Sequence, residues 1–138
     1  MLYKVVGAVA LNLLGLPRAT RDLDIFVAAD EQNVDRLRRA LHSVFDDPSI
    51  DEISAADLSG DYPAIQYVPP AGTFHIDILN RLGEAFAFDD VEVEQREVEG
   101  ILIPVATPRM LYRMKKDTVR LQDKADADRL RRRFGLEE

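Results

Sequence analysis

The chain has 138 residues, of which 46% are hydrophobic and 31% are charged, and its formal net charge is −7. This length and composition predict one compact soluble domain, residues 1–138, with a buried core. The absence of cysteine excludes disulfide bonds and thiolate metal sites. No segment is long and apolar enough to span a membrane, and residues 1–6 are more typical of a first strand than of a signal peptide, so we expect a cytoplasmic protein.

The charges are distributed unevenly along the chain. Residues 109–133 contain ten Lys or Arg and four Asp, whereas residues 1–108 contain eight basic and nineteen acidic residues. Such a division would suit a metal ion in the acidic part and an anionic substrate on the basic part. A solvated helical face is the simpler explanation of the basic residues when charge is the only evidence.

The first part of the chain is predicted to alternate between strands and helices. Hydrophobic spacing, glycines and capping residues predict a strand at 2–6, a helix at 8–14, a strand at 22–28 and a long amphipathic helix that begins after Asp30. Residues 46–61 are acidic and weakly patterned, which predicts a loop with a helical turn near Ala55-Ala56.

The second part is predicted to contain two hairpins and then two helices. The hairpins turn at residues 69–72 and at Gly100, and their strands are predicted at 62–68, 73–79, 91–98 and 101–105. Thr107-Pro108 is typical of a helix start, and basic helices are predicted at 108–118 and 123–134. We therefore expect an α+β fold, with a mixed β-sheet flanked by helices in residues 1–106 and C-terminal basic helices in residues 107–138.

Acidic residues within two predicted strands form the most informative pattern. Asp22 and Asp24 lie in one strand, and Asp77 lies in His75-Ile76-Asp77-Ile78 of a later one. Because strand side chains alternate between faces, Asp22 and Asp24 share a face, and His75 shares the face of Asp77. If the strands are neighbours, three carboxylates meet, and their repulsion favours the binding of cations. The pattern predicts that Asp22, Asp24 and Asp77 hold two Mg²⁺ ions in a phosphoryl-transfer centre.

Candidate phosphate-binding residues precede the acidic pair. Gly7 and Ala8 lie at a strand-to-helix junction, where free amides attract anions, although a glycine that permits tight packing explains the same pattern. Arg18 or Arg21 could bind a triphosphate, and Thr20 could bind either a phosphate oxygen or the turn. A surface turn with Arg–Asp pairs explains these three residues equally well.

Further candidates have both a functional and a structural explanation. Lys115 could reach a bound nucleotide from the first basic helix. Arg120, Asp123 and Asp126 form a polar string, for which helix capping and surface salt bridges, each contributing about 0–1 kcal/mol, are the simplest explanation. His75 could contact phosphate or metal, or be a hydrogen-bonded residue on the sheet surface.

Together, these residues resemble the nucleotidyltransferase fold, and within it the AbiEii-type branch, which includes toxins of toxin–antitoxin pairs. The likeness extends over most of the chain. It rests on Gly7-Ala8, on Arg18-Ala19-Thr20-Arg21-Asp22-Leu23-Asp24, on Asp77, on Lys115, and on the string of Arg120, Asp123 and Asp126.

The resemblance implies a Mg²⁺-dependent enzyme that transfers NMP from an NTP to a hydroxyl of RNA, such as a tRNA end, or of a protein. It assigns catalysis and two Mg²⁺ ions to Asp22, Asp24 and Asp77. It assigns nucleotide binding to Gly7, Ala8, Arg18, Thr20 and Lys115. An antitoxin is an expected partner, and a homodimer would cover any sheet face that is left open.

An alternative of a different class is a degenerate module of the same fold, which binds nucleotide or a partner protein without chemistry. Ala8 motivates this alternative, because it stands where the family has a second Gly or a Ser and therefore lacks the hydroxyl. A sugar transferase that holds a nucleotide-sugar metal with Asp22 and Asp24 is disfavoured, because it gives Asp77 no role.

Overall fold

The fold is that of a computed structural model, which describes residues 1–61, 63–70, 72–83 and 85–136. Its strands are β1 (Tyr3–Val6), β2 (Asp22–Val27), β3 (Ala64–Tyr67), β4 (His75–Leu79), β5 (Arg81–Leu82), β6 (Phe86–Ala87), β7 (Val93–Val98) and β8 (Ile101–Ala106). Its helices are α1 (Gly7–Leu13), α2 (Glu31–His42), α3 (Ala55–Ser59), α4 (Pro108–Lys115) and α5 (Leu121–Phe134), with 3-10 turns at Pro48–Glu52 and Phe88–Asp90. Tyr62 of a predicted strand and Ala71 of a predicted turn lie outside the described residues.

Six strands form one mixed sheet in the order β3-β4-β2-β1-β8-β7. At its centre, β2 is parallel to β4 and antiparallel to β1, and β1 is parallel to β8. The antiparallel pairs β3–β4 and β7–β8 confirm the two predicted hairpins. A separate two-stranded hairpin of β5 and β6 follows β4, and the sequence did not predict it.

Alternation along β2 gives the sheet two different faces. Ile25 lines an apolar cavity together with Leu37 of α2, whereas Asp24 and Phe26 line a cleft together with Leu111 of α4. Phe26, Leu37 and Leu111 are all buried, so both faces contribute to the core. The strand that buries Ile25 on one side therefore presents Asp24 to the side of α4.

The helices differ from the prediction mainly at their ends. α4 ends at Lys115, where the Thr118 hydroxyl donates to the Lys115 carbonyl at 3.2 Å and so satisfies a terminal acceptor. α5 begins at Leu121 rather than at residue 123. The predicted helical turn near Ala55 is confirmed as α3, which begins with a capping box between Ser54 and Asp57. No helix in the described part of the chain is long and apolar enough to cross a membrane.

Candidate active site

The register between β2 and β4 brings the predicted carboxylates together. It places Asp24 opposite Asp77 and Asp22 opposite His75 on neighbouring parallel strands. Because Leu23 lies between Asp22 and Asp24, these two side chains share the face on which Asp77 lies. The prediction that the two acidic strands are neighbours is therefore confirmed.

Asp24 is the most perturbed carboxyl group of this cluster. Burial raises the pKa of Asp24 to about 7, and the hydrogen bond to Asp77 and the negative charges of Asp77 and Asp22 act in the same direction. The charge of Lys115 opposes this shift. A hydrogen bond between two carboxyl groups requires one of them to carry a proton, and the raised pKa identifies Asp24 as that group.

Asp22 lies at the edge of this cluster. Its side chain is about half exposed, and its Oδ1 lies 3.5 Å from Nδ1 of His75. The side-chain amide of Gln66 lies at the same distance from that ring nitrogen, so His75 has two polar neighbours on the sheet surface. These contacts match the structural explanation of His75.

The residues present fit a magnesium site by their chemistry. Within residues 1–61, 63–70, 72–83 and 85–136, no group of three or more Asp, Glu or His side chains is arranged so that it could already hold a metal ion. The donors on this face are nevertheless carboxylate oxygens, which Mg²⁺ prefers. Asp24 and Asp77 are already paired, and a cation would replace the proton that their pairing requires.

Gly7 places the backbone directly against this carboxylate pair. It has a φ of +69°, and a Cβ atom at this position would overlap Oδ2 of Asp24. The antiparallel register that pairs Val6 with Asp24 brings the two together. The next residue, Ala8, is buried. The requirement for glycine therefore comes from contact with Asp24 as well as from the turn into α1.

Arg18 and Thr20 make internal contacts before β2. Nε of Arg18 lies 3.3 Å from Oδ2 of Asp126. The Arg18 backbone N–H and carbonyl group both bond to the side chain of Asn12 at 2.8 Å. The hydroxyl of Thr20 accepts from the N–H of Asp22 at 3.1 Å, so Thr20 binds the turn, which is one of the two roles that the sequence allowed.

Lys115 lies in a buried ionic network with Asp123 and Asp126, the last two residues of the polar string. Its Nζ lies 3.3 Å from Oδ1 of Asp123 and 3.2 Å from Oδ2 of Asp126, and Asp126 is completely buried. The expectation of surface salt bridges is therefore wrong for Asp126. The sequence contained a signal for this burial, because Asp123 and Asp126 share their helix face with the buried Ala127 and Leu130.

A cleft of about 270 Å³ is lined by Asp24 of the carboxyl cluster and by Lys115 and Asp123 of this network. Its lining combines an apolar set with a polar set: Val6, Phe26, Leu79, Leu82, Leu111 and Met114, and then Gly7, Asp24, Lys115, Thr118, Arg120 and Asp123. Sequence reasoning missed Leu82 and Thr118 as cleft residues, because one lies in a very short strand and the other in a turn.

The architecture is similar to that of two solved nucleotidyltransferase-like structures. A putative nucleotidyltransferase from Thermotoga maritima has a TM-score of 0.52 and 19% identity, and the match covers 96% of this chain and 81% of that one. An antigenic nucleotidyltransferase-like protein from Paracoccidioides brasiliensis has a TM-score of 0.51 and 15% identity, with 93% of this chain and 66% of that one covered. The class of fold is thus nucleotidyltransferase-like, and the predicted fold class is confirmed.

The family comparison is more specific than the fold. Residues 5–133 match the family described as nucleotidyl transferase AbiEii toxin of a type IV toxin–antitoxin system. The chain belongs to this AbiEii family, which confirms the resemblance found in the sequence. No curated protein matches the chain significantly.

Proposed function

We propose that the protein is a Mg²⁺-dependent nucleotidyltransferase that transfers NMP from an NTP to a hydroxyl group of an RNA or protein acceptor. The observation that carries this proposal is the pairing of Asp24 with Asp77 on adjacent strands, beside the backbone of Gly7. Membership of the AbiEii family supports this class of reaction and an antitoxin as partner. Because NTPs are cytoplasmic metabolites, we expect the reaction to occur in the cytoplasm.

The carboxylates would organise the reacting groups. Two Mg²⁺ ions held by Asp22, Asp24 and Asp77 would neutralise triphosphate charge and lower the pKa of the acceptor hydroxyl. A carboxylate oxygen of Asp77 would accept the proton of that hydroxyl. The acceptor oxygen then bonds to the α-phosphorus, the bond from this phosphorus to the bridging oxygen breaks, and pyrophosphate leaves.

The rest of the cleft offers separate surfaces for the parts of a nucleotide. Lys115 borders it with a positive charge, and Arg18 adds a second positive charge beside the same buried Asp126. These charges would bind the triphosphate, together with the amides of Gly7 and Ala8. Leu82 and Met114 line the same cleft with apolar surface, which suits the faces of a nucleobase.

A basic groove supports RNA as the acceptor. Lys116, Lys124 and Arg131 line a groove of about 160 Å³ between α4 and α5, where Asp128 is the acidic member. Lysine and arginine side chains on such a surface attract RNA phosphates. A protein hydroxyl as acceptor would not require this groove.

The proposal is tested by incubating the protein with each of the four α-labelled NTPs, Mg²⁺ and either total cell RNA or total cell protein. We expect labelled RNA, and we expect Asp24→Asn to abolish the label. Asp61→Asn is the matched control, because Asp61 is an exposed aspartate outside the cleft. Absence of label with every nucleotide and both acceptors would contradict the proposal.

A binding module without chemistry is the second candidate. It is favoured by Ala8, which is buried and has no hydroxyl, and by the position of Asp22 beside His75 rather than in the carboxyl pair. This candidate predicts that NTP binds without any label transfer and that Asp22→Asn leaves the binding intact. Calorimetric titration of the wild-type protein and of Asp22→Asn with NTP, together with the labelling result, distinguishes the binding module from the transferase.

A further inference from the structure

Asp126 joins two cations, Arg18 and Lys115, that come from opposite ends of the chain. Its Oδ2 lies 3.3 Å from Nε of Arg18 and 3.2 Å from Nζ of Lys115. Its Oδ1 accepts a hydrogen bond from the side-chain amide of Gln122 at 3.1 Å. With its side chain fully inaccessible, Asp126 is the common counter-ion of two cations, and both oxygens of the carboxylate are occupied.

The contacts of Asp126 leave donors on both cations. Arg18 meets Asp126 through Nε, and neither terminal amino group of its guanidinium has an ion-pair partner within the described ranges. Lys115 has three N–H donors, of which two are directed to Asp123 and Asp126, and its side chain borders the cleft. Both cations contact the same oxygen atom, Oδ2 of Asp126, so their charged groups lie close together.

The same helix also fixes the backbone that leads to the carboxylates of β2. Arg129, one turn after Asp126 in α5, donates from Nη2 to the carbonyl oxygen of Pro17 at 3.0 Å. Asn12 holds Arg18 from the other side through its two backbone hydrogen bonds. The position of Arg18 therefore depends on contacts with both α1 and α5.

We propose that Asp126 is a positioning residue for NTP binding: it holds Arg18 and Lys115 together so that both reach the triphosphate, and it does not itself contact the nucleotide. This inference rests on the proposed function. The chemical class of ligand is a polyphosphate, because two adjacent cations match adjacent phosphate groups. Without the carboxylate, these two cations, whose side chains are only 20% and 10% exposed, would repel one another and separate.

The test compares Asp126→Asn with Asp35→Asn by calorimetric titration with each NTP and Mg²⁺. Asp35 is the matched control, because it lies on α2 outside the cleft and pairs with Arg39 at 3.0 Å and with Arg38 at 3.7 Å on the protein surface. We expect Asp126→Asn to raise the Kd of the nucleotide about tenfold, whereas Asp35→Asn changes it by less than about twofold. In the transfer assay, the change should appear in KM rather than in kcat.

A double-mutant cycle separates positioning from general structural support. If Asp126 acts through Arg18, the double variant Arg18→Gln/Asp126→Asn binds NTP no more weakly than the weaker single variant, whereas independent effects multiply.

If Asp126→Asn does not fold, Asp126→Glu retains the charge, and its longer side chain should still raise the Kd. A folded Asp126 variant with wild-type Kd, or multiplying effects, would overturn the inference. If the wild-type protein binds no NTP, the proposed function itself has failed.

Discussion

Gly7 and Asp24 show how tightly single residues are fitted in the candidate site. The sequence identified Gly7 as a position where the backbone could approach a phosphate. The structure adds a second reason, because any Cβ atom at Gly7 would overlap the Asp24 carboxylate. This contact depends on the register between β1 and β2, which residue patterns within a single strand do not encode.

Replacement of Gly7 by alanine should therefore lower the free energy of unfolding by more than conformational strain alone would. We expect Gly7→Ala to lower the free energy of unfolding by about 2–4 kcal/mol, because it combines strain at positive φ with the overlap on Asp24. Gly15→Ala is the control, since Gly15 has a φ of +88° and no described atom within 4 Å of an added Cβ. Its cost should be about 1 kcal/mol. Equal losses in urea denaturation would show that Asp24 plays no part.

The raised pKa of Asp24 predicts a pH dependence of stability. Its folded-state pKa of about 7 lies above its ordinary value of 3.8, so the folded protein binds more protons between these values. Stability from this group is therefore lost as pH rises from about 4 to about 7 and is constant above that range. Without Mg²⁺, Asp24→Asn should raise the Tm by roughly 2–5 °C at pH 8 and much less at pH 5. If Asp24→Asn changed the Tm equally at pH 5 and pH 8, the raised pKa would not belong to Asp24.

At the scale of elements, local sequence patterns predicted most strands and helices, but not their neighbours. β2 and β4 each have alternating side chains, yet only the assembled sheet shows that Asp24 lies opposite Asp77. β5 and β6 have two residues each, which is too short for periodicity to be detected. The burial of Asp126 depends on the packing of α5 against α4, and its charge alone predicted a surface position.

Tyr67 anchors the edge strand β3 to the segment that follows α2. Burial raises the pKa of Tyr67 to about 12, and its hydroxyl donates to Oδ2 of Asp47 at 2.8 Å. Tyr67→Phe should lower the free energy of unfolding by about 1 kcal/mol, because the hydrogen bond is lost while the ring remains. Tyr112→Phe is the control, since Tyr112 is similarly buried and its hydroxyl has no hydrogen-bond partner within the described part of the chain. If both variants lose the same stability in urea, the Asp47 contact is unimportant.

At the scale of the whole molecule, the motif order predicted the class of fold, whereas the order of strands in the sheet came only from the structure. Carboxylates, glycine and basic helices are recognisable because the proposed chemistry requires those residue types. Strand order is a consequence of long-range packing, which a single sequence does not display. The structure thus explains why residues far apart in the chain form one cleft.

Mg²⁺ should stabilise the whole protein if the carboxylates form its site. An ion that binds only the folded state shifts the unfolding equilibrium by mass action, so we expect millimolar Mg²⁺ to raise the Tm by roughly 2–4 °C. Na⁺ at the same ionic strength is the control for general screening, and Asp77→Asn should remove the specific effect. A melting curve that responds equally to both salts would contradict direct binding by these carboxylates.

The hydrogen bond from Arg129 to Pro17 has a consequence for protein synthesis. These residues are separated by 112 positions in the sequence, and the ion pair of Arg18 with Asp126 joins residues with almost the same sequence separation. During translation the sheet-forming segments leave the ribosome before α5 does. A nascent chain can therefore pair its strands early while Arg18 still lacks its anchor, and we expect any nucleotide binding that depends on Arg18 to begin only after α5 has been synthesised and has docked.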